Sequence, residues 1–198
     1  TTFVPPGVDT MFIHGGGTYI DPTFTRGYRY PNGTCIVNQT QTVFYSTSII
    51  GNTSVSWIQQ QLGHNPDHPI LALISVKAPH IQDDETMDFP MAIPAPNYRN
   101  MTLPHQEYTA PRVPNYNYSA YDHHWLVRTQ STFTHEQARN VDKLHQSRIR
   151  SLQSVDDLVV QVVETLQQLG ALKNTYIVFT SDNGYRLGQF QIPQLKLH

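Results

Sequence analysis

Residues 154–184 read SVDDLVVQVVETLQQLGALKNTYIVFTSDNG, and this stretch decides the fold. Val155, Leu158, Val159, Val162, Val163, Leu166 and Leu169 recur at i, i+3, i+4 and i+7, which predicts an amphipathic helix. Ser154 stands where an N-cap belongs, with Asp157 three residues on as a capping-box acid. Asp156 and Asp157 also suit the positive end of a helix dipole, so capping is preferred to metal binding for this acidic pair. Gly170 supplies the stop. Soon after comes Thr175-Tyr176-Ile177-Val178-Phe179-Thr180, a β-branched and aromatic run expected to be a buried strand. Helix, short loop, strand is the grammar of a layered α/β sheet.

Working outward, residues 135–152 predict a separate helix whose Arg139, Lys143, Arg148 and Arg150 form a solvated face. Ile70-Leu71-Ala72-Leu73-Ile74-Ser75-Val76 is a short continuous apolar run. Its length favours a second buried strand, of the kind found in a parallel sheet covered on both faces. Residues 46–62 predict a helix ending near Gly63, followed by a turn at Asn65-Pro66-Asp67. Strands are expected at Cys35-Ile36-Val37 and Thr42-Val43-Phe44, and loop with short strand before residue 34. The Gly15-Gly16-Gly17 run lacks the spacing of a phosphate loop and reads as a flexible turn. Residues 77–121 hold no sustained period, and a loop that long is usually functional or an insertion. No internal repeat is present.

Composition narrows the function classes. Thirteen Lys and Arg against fifteen Asp and Glu give a net charge of −2, which argues against a nucleic-acid grip, since that needs a clustered basic face. No apolar run approaches the roughly 20 residues of a membrane span. The single Cys35 excludes an internal disulfide framework and a multi-cysteine zinc site. The 198 residues suit one domain or a large piece of one. The first residue is Thr1 and no secretory h-region follows, so a removed leader or preceding chain is expected. Asn32, Asn38, Asn52, Asn100 and Asn117 each open an Asn-x-Ser/Thr sequon. Five is more than chance predicts, so passage through the secretory pathway, to the exterior or the lysosome, is expected.

Both expected strands run into residues with chemical capacity. The first leads to Lys77-Ala78-Pro79-His80, the second to Ser181-Asp182-Asn183-Gly184. Ligands of open α/β sheets sit outside the carboxyl ends of the strands, so parallel neighbours would bring His80, Asp182 and Asn183 to one edge. The Asp182 carboxylate and Asn183 amide oxygen are hard donors suited to calcium or magnesium, with Gly184 allowing a sharp turn beside the ion. Asp-Asn-Gly is equally a common turn, and a lone histidine after a strand is commonly structural; both readings stay open here.

Thr180-Ser181-Asp182-Asn183-Gly184-Tyr185, followed by Gly188-Gln189-Phe190 and Pro193, resembles the second metal-binding segment of the formylglycine-dependent sulfatases. Ser154-Val155-Asp156-Asp157-Leu158-Val159, His124-Trp125-Leu126-Val127-Arg128 and Ala78-Pro79-His80 resemble further segments of the N-acetylglucosamine-6-sulfatase and arylsulfatase branch. The resemblance implies an alkaline-phosphatase-like α/β fold, a layered sheet with helices on both faces, of which residues 1–198 form the central part of the catalytic domain and leave the sheet incomplete. It implies that Asp182 and Asn183 ligate calcium, that His80 contacts the substrate sulfate, and that Lys196 is a sulfate-binding lysine. The substrate implied is a sulfated carbohydrate or an aryl sulfate.

The departures are specific. The family nucleophile is a formylglycine made in a Cys/Ser-x-Pro-x-Arg motif, and Cys35 has neither Pro nor Arg in register. No serine occupies such a motif, the paired aspartates of the first metal segment are absent, and Asp83-Asp84 do not replace them by position. Residues 83–91 look like an insertion, and Lys196 is followed only by Leu197-His198 rather than the family's Tyr/Phe-Glu pair. The chain alone is therefore expected to be inactive, with formylglycine supplied upstream in its parent. Two other readings remain: a phosphatase or phosphodiesterase of the same superfamily, and a non-catalytic glycoprotein that binds sulfated glycans.

Overall fold

A computed structural model describes residues 3–15, 17–82, 89–119 and 121–194. The amino-terminal part forms an antiparallel meander of β1 (Thr10–His14), β2 (Thr23–Arg29) and β3 (Cys35–Gln41), in that spatial order. Register pairs Phe12 with Arg26 and Arg26 with Asn38, so these three side chains share one face. On the other face Gly27 is obligatory, because a Cβ there would lie 2.6 Å from Val4 Cγ2. The β2–β3 turn closes through Tyr30 N–H to the Thr34 carbonyl at 2.8 Å, with Gly33 at φ +85°. The strand expected at residues 42–44 is absent: β3 ends at Gln41, and Val43 and Phe44 are exposed.

α1 (Ser46–His64) realises the helix expected at 46–62 and runs two residues further. It ends at Asn65, whose carbonyl accepts from His68 N–H at 3.1 Å in the expected turn. It packs on α3 (His135–Gln168), a single helix of 34 residues and so about 50 Å long. Gly51 permits the approach, since a Cβ there would meet Leu158 Cγ at 3.3 Å. Ile58 and Leu62 of α1 bury against Leu166, with Trp57, Ile70, Val162 and Leu172 around them. A one-turn α2 (Trp125–Arg128) seats Val127 against Ile192.

The break expected before Val155 does not occur. Ser154 is buried in mid-helix and its hydroxyl donates to the Ser151 carbonyl at 2.7 Å. The true N-cap is Thr134, which forms a complete capping box with Gln137. Buried Val141, Leu144, Ser151, Val155, Leu158 and Leu166 form one stripe along α3, so no register change separates its halves. Asp157 is not a cap either; both its oxygens accept from the Tyr98 hydroxyl, at 2.8 and 2.7 Å. The stop at Gly170 is as expected, with φ +70° and its N–H bonded to the Gln167 carbonyl at 3.0 Å.

The two expected buried strands, residues 70–76 and 175–180, lie outside any strand pairing among the described residues. They are also exposed: Leu71 and Leu73 to 93%, Tyr176 to 100% and Val178 to 84%. Ile70 and Val76 still anchor the ends of the first run, one in the α1–α3 core and one in the central cluster. Their apolar composition reports a burial that no described strand provides. That central cluster joins Tyr19, Tyr45, Ala78, Ala95 and Val155 and carries the loop that follows residue 76. Residues 89–119 are, as expected, almost entirely loop, with a single 3-10 turn at His105–Tyr108.

Candidate functional site

The Lys77-Ala78-Pro79-His80 turn is held from three directions. Its own backbone closes through His80 N–H to the Lys77 carbonyl at 2.8 Å, across a cis Ala78–Pro79 bond. Beneath it, fully buried Tyr19 donates its hydroxyl to the His80 carbonyl at 2.5 Å. Burial pushes the Tyr19 phenol far above its ordinary range, with the neighbouring Tyr45 adding to the effect. From α3, the Arg148 guanidinium donates to the Pro79 carbonyl at 3.0 Å. The Lys77 ammonium lies 5.4 Å from the Tyr19 ring centre.

His80 itself is exposed, and its Nδ1 is 2.6 Å from the Ile81 carbonyl. A carbonyl can only accept, so Nδ1 carries a proton and Nε2 points away from this bond. The neutral ring then presents a lone pair at Nε2, and only the imidazolium presents a second donor. Nearby, the His14 Nε2 is buried without a hydrogen-bond partner among the described residues. Burial, and then the Lys77 charge, hold His14 below its ordinary value.

The second segment is built differently. Asp182 and Asn183 are exposed, and their local order comes from the Ser181 hydroxyl donating to the Asn183 carbonyl at 2.7 Å. The chain bends at Asp182 and Asn183, beside Gly184 as expected, but Gly184 is not in the left-handed region; positive φ occurs further on, at Gly188 (φ +100°), Phe190 and Gln191. Gly188 packs under the Tyr116 ring, where a Cβ would come within 2.2 Å of Cε2. One side chain joins the two segments. Arg148 stacks its guanidinium 3.9 Å from the Tyr185 ring centre while bonding to Pro79. Burial pushes the Arg148 pKa down, opposed by Tyr185 and Tyr19.

Arg148 was expected on a solvated face. So was Arg150, which instead donates from Nε to the Met101 carbonyl at 2.9 Å. A signal was present: position 148 falls on the apolar stripe between Leu144 and Ser151. A cation in such a stripe needs a buried acceptor.

Asp182 and Asn183 suit a hard cation by donor chemistry, as one carboxylate and one amide oxygen. They supply two of the six to eight oxygens such an ion takes. Among the described residues no group of three or more His, Cys, Asp or Glu is arranged to hold a metal. Lys196 and Asp83-Asp84 lie outside the described residues. Of the sequon asparagines, Asn32, Asn38, Asn52 and Asn100 are exposed. Asn117 is half-buried at φ +51°, and its Oδ1 accepts from Phe133 N–H at 2.9 Å.

Comparison with known proteins identifies this framework. Residues 7–197 match the family model described as Sulfatase. The chain is 34% identical to the N-acetylglucosamine-6-sulfatase of Capra hircus over 173 residues, covering 83% of this chain and 28% of that protein. It is 33% identical over 147 residues to an extracellular sulfatase SULF-1 homolog of Drosophila melanogaster, covering 74% of this chain and 12% of the relative. It is also 31% identical to an arylsulfatase of Volvox carteri, covering 93% of this chain and 29% of that protein. The chain belongs to the sulfatase family, and its helices and incomplete sheet are part of that family's α/β fold. It spans less than a third of the length of these relatives.

Proposed function

We propose that the protein containing this chain hydrolyses sulfate esters of sugars or aryl alcohols, and that this chain forms one wall of its active site. The observation that carries the reading is Arg148, which ties the His80 turn to the segment following Asp182-Asn183. The names of the relatives, N-acetylglucosamine-6-sulfatase and arylsulfatase, agree with it.

In this reading Asp182 and Asn183 hold part of a calcium shell. The bound ion would supply electrostatic stabilisation of charge on the sulfate oxygens. His80, its Nδ1 committed to the Ile81 carbonyl, would donate from Nε2 to a sulfate oxygen in its protonated form. Lys196 would add a second cation toward the same group. The nucleophile, a formylglycine, and the remaining calcium ligands would come from residues outside this chain.

The experiment compares this 198-residue segment with the full-length protein on an aryl sulfate and an aryl phosphate. Sulfate release by the full-length protein alone is expected. Turnover by the segment would overturn the assignment of the nucleophile elsewhere. Preference for the phosphate ester would move the protein to phosphoryl transfer. Salt-sensitive retention on a sulfated polysaccharide with no turnover would make it a glycan-binding protein instead.

Localisation in the secretory pathway, at the cell exterior or in the lysosome, belongs to the same reading. Exposed Asn32, Asn38, Asn52 and Asn100 support it as glycan acceptors. Asn117 is the least suited of the five, because its side chain already caps the Phe133 amide. No helix among the described residues is long and apolar enough to cross a membrane.

A further inference from the structure

Between the sheet and α1 runs a groove of about 380 Å³ that the proposed sulfatase site does not use. Its floor is aromatic: Phe12 and Phe24 stack with ring centres 4.4 Å apart. The Arg26 guanidinium lies 5.3 Å from the Phe12 ring centre. Thr40 of β3 lines one wall, and Ile49 and Thr53 of α1 line the other. These residues coincide with the sequons in a particular way. Thr40 completes the Asn38 sequon, and Thr53 sits next to Asn52. Asn38 is the direct cross-strand partner of Arg26, which is in turn the partner of Phe12. Direct partners in an antiparallel ladder project to the same side, so exposed Asn38 stands on the grooved face. Asn52, three residues after Ile49 and one before Thr53, borders the opposite wall.

We infer that this groove is the seat of an N-linked glycan carried by Asn38, whose first N-acetylglucosamine lies over Arg26 and against Phe12. The chemistry matches group by group. The apolar face of the sugar ring fits an aromatic surface. Its acetamide carbonyl and hydroxyls accept from the guanidinium, which makes no ion pair among the described residues. The threonine hydroxyls serve as donor or acceptor along the wall. A sugar there bridges the sheet and α1 across a gap that side chains leave open, fixing their relative position. The inference rests on the secretory reading above, because it requires the glycan to be added.

The test uses the full-length protein secreted from eukaryotic cells. Glycopeptide mass spectrometry gives occupancy at each sequon, and peptide-N-glycosidase is then applied to folded and denatured protein. In the folded protein the Asn38 glycan should be released at least roughly fivefold more slowly than the Asn100 glycan, the size expected of one modest contact. Denaturation should equalise the rates. Arg26→Gln should keep Asn38 occupied and remove most of the protection. Equal rates in the folded protein overturn the inference. So does protection that survives both Arg26→Gln and Phe12→Leu, since polypeptide would then be the cover. Protection at Asn52 in place of Asn38 overturns it as well. An empty Asn38 beside an occupied Asn100 defeats the inference and leaves the secretory reading intact, whereas a secreted protein with no glycan at any sequon defeats both.

Discussion

The His80 turn and the Asp182-Asn183 segment occupy equivalent places in the chain, each following an extended apolar run, yet they are built to different standards. The first has a buried phenol beneath it, an arginine across it and a core cluster behind it. The second is exposed and is ordered by local hydroxyl bonds from Thr180 and Ser181, with Arg148 reaching it at Tyr185. Substrate-contacting groups need preorganised directions, because misplacement costs rate directly. Metal ligands can be drawn into place by the ion, whose binding free energy orders what the chain leaves loose. Under the proposed function, the asymmetry would fit a site in which His80 is set by the protein and the Asp182 end by a bound cation.

The comparison can be broken by experiment on the full-length protein. The largest effect belongs to Asp182→Ala: calcium-dependent thermal stabilisation should vanish and kcat/KM should fall by more than roughly 100-fold. A calcium response unchanged in melting experiments would reduce the segment to a turn. Next comes Arg148→Ala, which leaves the Pro79 carbonyl unpaired and removes the Tyr185 stack. Chemical denaturation should show a loss of about 2–4 kcal/mol, with Arg148→Lys recovering only part of it. Full recovery by lysine would show that charge alone, not the planar bridge, couples the two segments.

Tyr19→Phe should cost about 1–3 kcal/mol by leaving the His80 carbonyl without its donor. It carries a pH signature as well. The folded phenol is raised above its ordinary 10.0, so its contribution is complete below that pH and is lost as the pH rises beyond it. The variant should therefore lose stability less steeply above pH 10.0 than the parent, as equilibrium unfolding across that range would show. The smallest effect is expected of Ser181→Ala, under about 0.5 kcal/mol, because the bond is exposed. A loss above about 2 kcal/mol there would mean that the Asp182 end is as firmly built as the His80 turn.

Legibility in the sequence followed physical locality. α1 was readable because Gly63 and Asn65-Pro66 mark its end, and Gly170 marked the end of α3 for the same reason. The false break at Ser154 arose because serine followed by two aspartates imitates a capped start. In mid-helix the same hydroxyl simply bonds back to the Ser151 carbonyl. The apolar runs at 70–76 and 175–180 were recognisable as extended chain but not as exposed. Composition reports what a segment is suited to contact, and burial depends on which other segments are present. His80, Asp182 and Asn183 could be proposed from chemistry and motif. Arg148 was not, because its role depends on Pro79 and Tyr185, distant in sequence.

The unbroken α3 acts as a ruler for the chain. Each residue advances the helix by about 100°, and seven residues return it to within about 20° of its starting face. Asp142 near its start grips Arg112 and the Ala110 amide, Arg148 bridges the two site segments, and Leu166 near its end packs on α1. Inserting a single residue between Asp142 and Arg148 would therefore rotate the site bridge and the α1 seat away from the Asp142 grip together. A seven-residue insertion would preserve the facing and only lengthen the reach. In-frame changes in this stretch of the gene are thus filtered by angle rather than by residue type, and facing should be restored by insertions of about 7, 11 or 18 residues.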